Sequence, residues 1–430
     1  MNLNIVKVLI VLVLLSLLNS CGDSIKAPEI KEMNSTKIIE LPKKLSYSYY
    51  LPSDSTNIKA IIIIMDPHGK PNIVMDSMHH IADNNQIALL GLSEIKNGIS
   101  NHQLIIERDL KDFTTEKNII QPKIYLLGFS GAARMAVLYA QRNRIDGLMI
   151  CGAGMRRQSQ LPFPTVLMAG MGDFNFMEQF YGPNNPKIFQ KSIIALHYRG
   201  KHAWPPIEIM NEAIEFILAR GTASSDAIAQ KFQNKSKEYL EQKEYYLSFK
   251  SMEVAYKLSS AEYQETRKND LIKLSNKYSI KTYFSRLELY MEGEQKRYQM
   301  LNASLDVQDL IWWNNQINFM ENKTKGKRNL LEADSYSRTM AYLGILMYSR
   351  LNAGIAGRGQ YALIPKYLEI YQRIEPQNPD LYFFKAVYAY TQSQEADALN
   401  FLRKAKDLGF TDDDKIRTFF AQDFVNKLNS

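Results

Sequence analysis

The stretch Pro122-Lys-Ile-Tyr-Leu-Leu-Gly-Phe-Ser-Gly-Ala-Ala-Arg-Met-Ala-Val-Leu-Tyr-Ala-Gln141 decides the reading of the chain. Ile124 to Leu127 is a short apolar run of the kind that forms a strand buried on both faces. Gly128-Phe129-Ser130-Gly131-Ala132 turns abruptly, and a helix rich in small residues (Ala132, Ala133, Ala136, Ala140) follows at once. Strand, tight turn with a central serine, then helix is the geometry of a nucleophile elbow. The glycines two before and one after Ser130 relieve crowding where the backbone takes an unusual conformation.

Outward from this stretch the pattern repeats. Ala60-Ile-Ile-Ile-Ile-Met65 is another continuous apolar run. The periodicity predicts a helix over 73–84, a strand over 87–92, a helix over 101–117, the elbow strand at 124–127 and its helix at 132–142. Strands follow at 147–151, 165–169 and 192–198, and a helix at 206–219, where Ile207, Met210, Ile214 and Ile217 recur at helical spacing. One or two further strands are expected between Lys37 and Leu51. Strands alternating with helices predict an α/β fold, a mostly parallel sheet covered on both faces. Ligands of such sheets bind beyond the carboxyl ends of the strands.

Those ends carry the chemistry. The run Thr165-Val-Leu-Met-Ala-Gly-Met-Gly-Asp173 is a strand leaving into a glycine-containing loop with a carboxylate at its tip. Leu196-His-Tyr-Arg-Gly-Lys-His202-Ala-Trp-Pro-Pro206 is a strand, a loop with a histidine and a Pro-started helix. Ser130, Asp173 and His202 thus occur in the order nucleophile, acid, base: His202 takes the Ser130 proton and Asp173 holds the imidazole tautomer. Glu178 is the fallback acid. His197 lies inside an apolar strand and reads as a core residue. His79 and His80 are adjacent on a helix and point different ways, so they form no metal pair. His102 stands alone. No spacing suggests a metal site, and no cofactor is expected. The turn at Gly128 lacks the Lys-Ser/Thr of a phosphate loop.

The chain resembles the α/β-hydrolase superfamily, and within it the small bacterial esterases related to dienelactone hydrolases and polyhydroxybutyrate-depolymerase-type feruloyl esterases. The resemblance covers residues 37–220 and rests on four motifs: Asp66-Pro-His-Gly69, Gly128-Phe-Ser-Gly-Ala132, Gly170-Met-Gly-Asp173 and Gly200-Lys-His-Ala-Trp-Pro205. It departs at Ala132, where the family has glycine, and at His68-Gly69, which lacks the longer glycine run of many lipases. The resemblance implies an oxyanion hole from the Gly131 N–H and a second N–H in the loop after Ala60–Met65, from His68 or Gly69. Lipases often insert a lid after the strand that here ends near Cys151; only about a dozen residues stand there. The site is therefore expected to be open or covered by the C-terminal region. Met171, Phe174, Phe176 and Trp204 are expected to give it an apolar wall, and Arg156 and Arg157 either line it or are plain surface residues.

The rest of the 430 residues sets the context. Lys7, the apolar run Val8–Leu18 and Leu18-Asn-Ser-Cys21 read as a secretory signal, and its end resembles the lipobox of bacterial lipoproteins, with Cys21 as the lipidated residue. The implied organisation is a leader at 1–20, a polar tether at 21–36, the hydrolase domain at 37–220 and a helical region at 221–430. The implied location is the bacterial cell envelope, through a lipid anchor in the membrane. If Cys21 is acylated, Cys151 has no disulfide partner and reads as a buried apolar residue. A net charge of +8 without a basic block excludes a nucleic-acid site by pattern. After Gly221 amphipathic helices follow one another, and Ile364–Phe410 resembles a tetratricopeptide repeat.

Three functions remain open from sequence. The first is a serine hydrolase acting on a carboxylic ester, of a glycan or a small molecule. The second is an envelope binding protein that recruits a protein partner through residues 226–430. The third is a serine peptidase.

Overall fold

The computed structural model describes residues 46–155, 161–326 and 329–429. The leader, the tether, Cys21, the start of the 37–51 segment, Arg156 and Arg157 lie outside the described residues. Among the described residues seven strands form one sheet: β1 Tyr47–Tyr50, β2 Ala60–Met65, β3 Ile87–Leu92, β4 Lys123–Phe129, β5 Gly147–Cys151, β6 Thr165–Gly170 and β7 Ile193–Tyr198, in the order β1-β3-β2-β4-β5-β6-β7. Only β1 runs antiparallel, pairing Tyr47 with Leu92. β2 lies between β3 and β4, with Ile62 opposite both Leu89 and Tyr125. Every residue of β2, β3, β5, β6 and β7 is buried. That is why these strands read as unbroken apolar runs: helices cover both faces, and no position is left to face water.

The expected helix over 73–84 is interrupted. Asn72–Met75 and His79–Asn85 are α-helical, but Asp76–Met78 tightens to a 3₁₀ turn. The Ser77 hydroxyl donates to Val74 O at 2.7 Å there, a local bond that competes with the helical ladder.

From Ser225 onward the described chain is a succession of helices, from Ser225–Glu241 to Gln422–Asn429. The composition changes at residue 221, but the apolar core does not end there. Phe232, Tyr246, Phe249, Ile280, Phe284 and Leu287 belong to the same buried cluster as the sheet, whereas a second cluster begins at Leu301 and runs to Phe424. A buried ion cluster ties helix Tyr245–Leu258 to the β6–β7 connection. The Glu253 carboxylate accepts from Lys250 at 3.0 Å, from the Tyr181 hydroxyl at 2.7 Å and from Lys257. Lys250 Nζ also donates to Tyr181 O at 3.1 Å and Lys257 Nζ to Lys187 O at 3.0 Å. Burial pushes the Lys250 ammonium down to about 8, and its Glu253 partner opposes that shift. Among the described residues no helix is long and apolar enough to cross a membrane.

Candidate active site

Ser130 sits at the carboxyl end of β4 with φ of +52°, in the left-handed region that a non-glycine residue seldom adopts. The strain therefore falls on the serine itself, and its flanking glycines answer to crowding. A Cβ on Gly128 would meet Ala133 Cα at 2.6 Å, where the helix Ser130–Ala140 folds back on the strand. One on Gly131 would come within 1.9 Å of the Asn97 side chain. Ala132, at the fifth position of the motif, is fully buried, so its methyl group is accommodated in the core.

The turn aims the hydroxyl at a histidine. Ser130 Oγ lies 3.0 Å from His202 Nε2, and His202 Nδ1 lies 2.9 Å from Asp173 Oδ2. A carboxylate only accepts, so Nδ1 carries the proton and the neutral ring presents Nε2 as the acceptor for the serine hydroxyl. The other Asp173 oxygen accepts the Asn175 N–H at 2.8 Å, and the carboxylate is fully buried. Asn175 in turn donates its amide to Gly152 O at 2.7 Å. Gly152 has φ of +57°, and a Cβ there would press on Phe129, His202 and Asp173 at 2.9–3.1 Å. The strand-end glycine is what lets acid and base meet.

The imidazole ring lies between Phe129 and Phe174, with centroid distances of 4.8 and 4.7 Å, and Trp204 stands 5.2 Å from Phe129. Phe174 and Trp204 are part-exposed and form the apolar wall, with the buried Phe129 ring packed against the imidazole and Trp204. Met171 and Phe176, expected in it, are instead core residues: both are buried, and Phe176 packs against His197. Phe176 opens the short helix Phe176–Gln179, and its ring centroid lies 5.1 Å from the Arg338 guanidinium.

The other histidines and acids have other tasks. Glu178 pairs with Arg134 at 3.1 Å and accepts the Gly154 N–H at 2.8 Å, away from the imidazole. His197 is buried between the Tyr246 hydroxyl at 2.5 Å and Gln179 at 3.1 Å, and burial holds its pKa well below the usual histidine range. His79 stacks on Tyr50 and His80 meets Asn84. Cys151 is a free, fully buried thiol whose pKa burial raises.

The expected second oxyanion donors are already engaged. The His68 N–H donates to Asp66 Oδ1 at 2.8 Å and the Gly69 N–H to Asp66 O at 3.1 Å. Asp66 is buried, and its second oxygen accepts the Trp204 indole N–H at 3.0 Å. This carboxylate therefore organises the loop after β2 and joins it to the loop of the base. The Asp66-Pro-His-Gly motif builds a turn whose two N–H groups face inward.

The helical region reaches both sides of this site. Lys70 Nζ donates to Gly409 O at 3.2 Å and Lys96 lies 3.6 Å from Asp414, on the side of the β2 and β3 loops. On the other side Arg338 donates to Met171 O at 2.6 Å, two residues before the acid. Arg338 is fully buried, as is Glu294, which it meets through Nε and Nη2 at 2.8–3.1 Å. Removing one partner of such a pair leaves an uncompensated buried charge, at a cost of about 3–5 kcal/mol. Arg338→Met is therefore expected to lower the unfolding free energy by about that amount, and the double variant with Glu294→Leu to regain part of it. Urea unfolding of the four chains measures both. An additive double variant would show the two residues to be uncoupled.

The antiparallel first strand, the strand order and the placing of serine, carboxylate and histidine after β4, β6 and β7 define an α/β-hydrolase-like fold. No family model and no curated protein matches the chain. Solved structures are similar to it over part of its length. Esterase PE8 is 14% identical over 40% of this chain and 97% of its own, with a TM-score of 0.31. An α/β serine hydrolase without lid from Xanthomonas campestris is 12% identical over 40% of this chain and 87% of its own, with a TM-score of 0.30.

Asp173, His202 and Ser130 were legible because each follows a strand. No sequence motif marks Asn175, Gly152, Asp66 as a carboxylate clamp, Asn97 or Arg338 for these roles. A glycine directly after an apolar strand, as at Gly152, was the one local signal available.

Proposed function

We propose that the protein is a serine hydrolase that cleaves carboxylic esters through an acyl-enzyme on Ser130. One observation carries the reading: the unbroken hydrogen-bonded chain Ser130–His202–Asp173 at the carboxyl edge of the sheet. Ser130 Oγ attacks the ester carbonyl as its proton passes to His202 Nε2. The alkoxide leaves with that proton, and water then attacks the acyl group by the same route. Asp173 steadies the imidazolium between the two transfers. The aromatic wall of Phe174 and Trp204, with Phe129 packed behind it, suits an apolar acyl or aryl group. The helical region restricts access to the site, a reading supported by its contacts with residues 70, 96 and 171.

Attachment to the bacterial envelope through a lipid on Cys21 completes the proposal and rests on the sequence Leu18-Asn-Ser-Cys21. A panel of p-nitrophenyl esters of graded acyl length tests the reaction class. Turnover of at least the shorter esters supports it, and a folded protein that hydrolyses none of them and no amide counterpart contradicts it. Cleavage of the amides alone would favour a peptidase.

A further inference from the structure

The reaction needs two hydrogen-bond donors converging on the developing oxyanion, and the structure supplies one from the expected place. The Gly131 N–H belongs to the first turn of helix Ser130–Ala140, where no intrahelical acceptor exists. The loop after β2 offers no second N–H at His68 or Gly69, because both donate to Asp66. The next loop of the sheet supplies a group instead. β3 is the neighbour of β2, and the segment after it is fastened to the β2 loop by the Asn97 N–H donating to Pro67 O at 2.8 Å and by an antiparallel bridge between His68 and Lys96. These bonds hold the Asn97 backbone, and its side chain lies over the elbow. From a Cβ built on Gly131, Asn97 Oδ1 is 1.9 Å away, Cγ 3.0 Å and Nδ2 3.6 Å. A Cβ at 131 would require this amide to move aside.

We infer that the Asn97 side-chain amide is the second oxyanion donor, a catalytic role that rests on the serine-hydrolase reading above. Oxygen and nitrogen of an asparagine amide are distinguished only by their partners, and no hydrogen bond within the described protein engages this one. A half-turn about χ2 exchanges Nδ2 for Oδ1 beside Gly131 without breaking any bond. An oxyanion there takes hydrogen bonds from Gly131 N–H and Asn97 Nδ2–H together. The electron balance is simple. As the Ser130 Oγ–carbon bond forms, the carbonyl π pair moves onto the oxygen and the serine proton goes to His202. As the intermediate collapses, the pair returns and the alkoxide leaves with the proton. Both donors bind the charged oxygen more strongly than the planar carbonyl, so they act on the transition state.

The test is steady-state hydrolysis of p-nitrophenyl acetate by the full chain and by its Asn97→Ala and Asn97→Asp variants. Asn97 is exposed and its backbone bond survives both changes, so the melting temperature should stay with the wild type. Loss of one such donor lowers kcat by about 10²–10³-fold. That fall is expected for Asn97→Ala with KM nearly unchanged, and a fall at least as large for Asn97→Asp, which keeps the shape but brings a negative acceptor. Affinity for a trifluoromethyl ketone analogue of the acyl group should fall in parallel. Variants with wild-type kcat, or with raised KM alone, would overturn the assignment while leaving the triad reading intact. A wild type that turns over no ester would remove both.

Discussion

A Ser130→Ala variant is expected to lose ester turnover by about 10⁶-fold and to unfold at the temperature of the wild type. The loss is that large because, on the proposed mechanism, Ser130, His202 and Asp173 act as a unit, so removing the nucleophile idles the other two. The fold is spared because alanine keeps the Cβ that the turn already accommodates at φ of +52°. The hydroxyl's bond to His202 contributes little to folding. Substrate should still bind, since the rings of Phe129, Phe174 and Trp204 are untouched. Stopped assays with p-nitrophenyl acetate, beside a thermal melt, check both halves. Residual turnover within tenfold of the wild type would mean that another nucleophile does the work.

Asp173→Asn is the second large effect, a fall in kcat of about 10⁴-fold, the usual consequence of placing an imidazole in the wrong tautomer. The structure shows why the isostere fails. Asp173 Oδ1 accepts the Asn175 N–H at 2.8 Å, so an asparagine must turn its carbonyl oxygen that way. Its NH₂ then faces His202 Nδ1, which has to become the acceptor. The ring proton moves to Nε2, the nitrogen beside Ser130, and the base can no longer take the hydroxyl proton. Binding should be little changed, so the effect falls on kcat. Equal kcat in the variant would show that the carboxylate neither orients nor steadies the imidazole.

What the sequence made legible follows from how local each signal is. The buried strands announced themselves because all six residues of Ala60–Met65 are apolar and rich in β-branched isoleucine, as a strand covered on both faces requires. The hydrogen-bonded set Ser130, His202 and Asp173 was legible through the rule that sites lie beyond strand ends: Ser130 follows β4 directly, and Asp173 and His202 lie in the loops after β6 and β7. The second oxyanion donor was not, because it depends on strand order. Asn97 reaches Gly131 only since β3 is placed next to β2, and no single loop records that adjacency. Arg338 was hidden for a similar reason. It lies 167 residues from Met171, and its helix has no local mark that it faces the sheet domain. The composition changes at Gly221, but the apolar core does not end there. The core continues past it because Phe232, Tyr246 and Phe249 pack with the residues of the sheet.

The central claim is that Ser130 is a nucleophile activated by His202 and Asp173. It is tested most directly by treating the folded protein with a fluorophosphonate and mapping the adduct by peptide mass. One phosphonyl group on Ser130, formed by the wild type and absent from Ser130→Ala, is the result the structure predicts. A folded wild type that forms no adduct, or one that carries it on another residue, would contradict the claim.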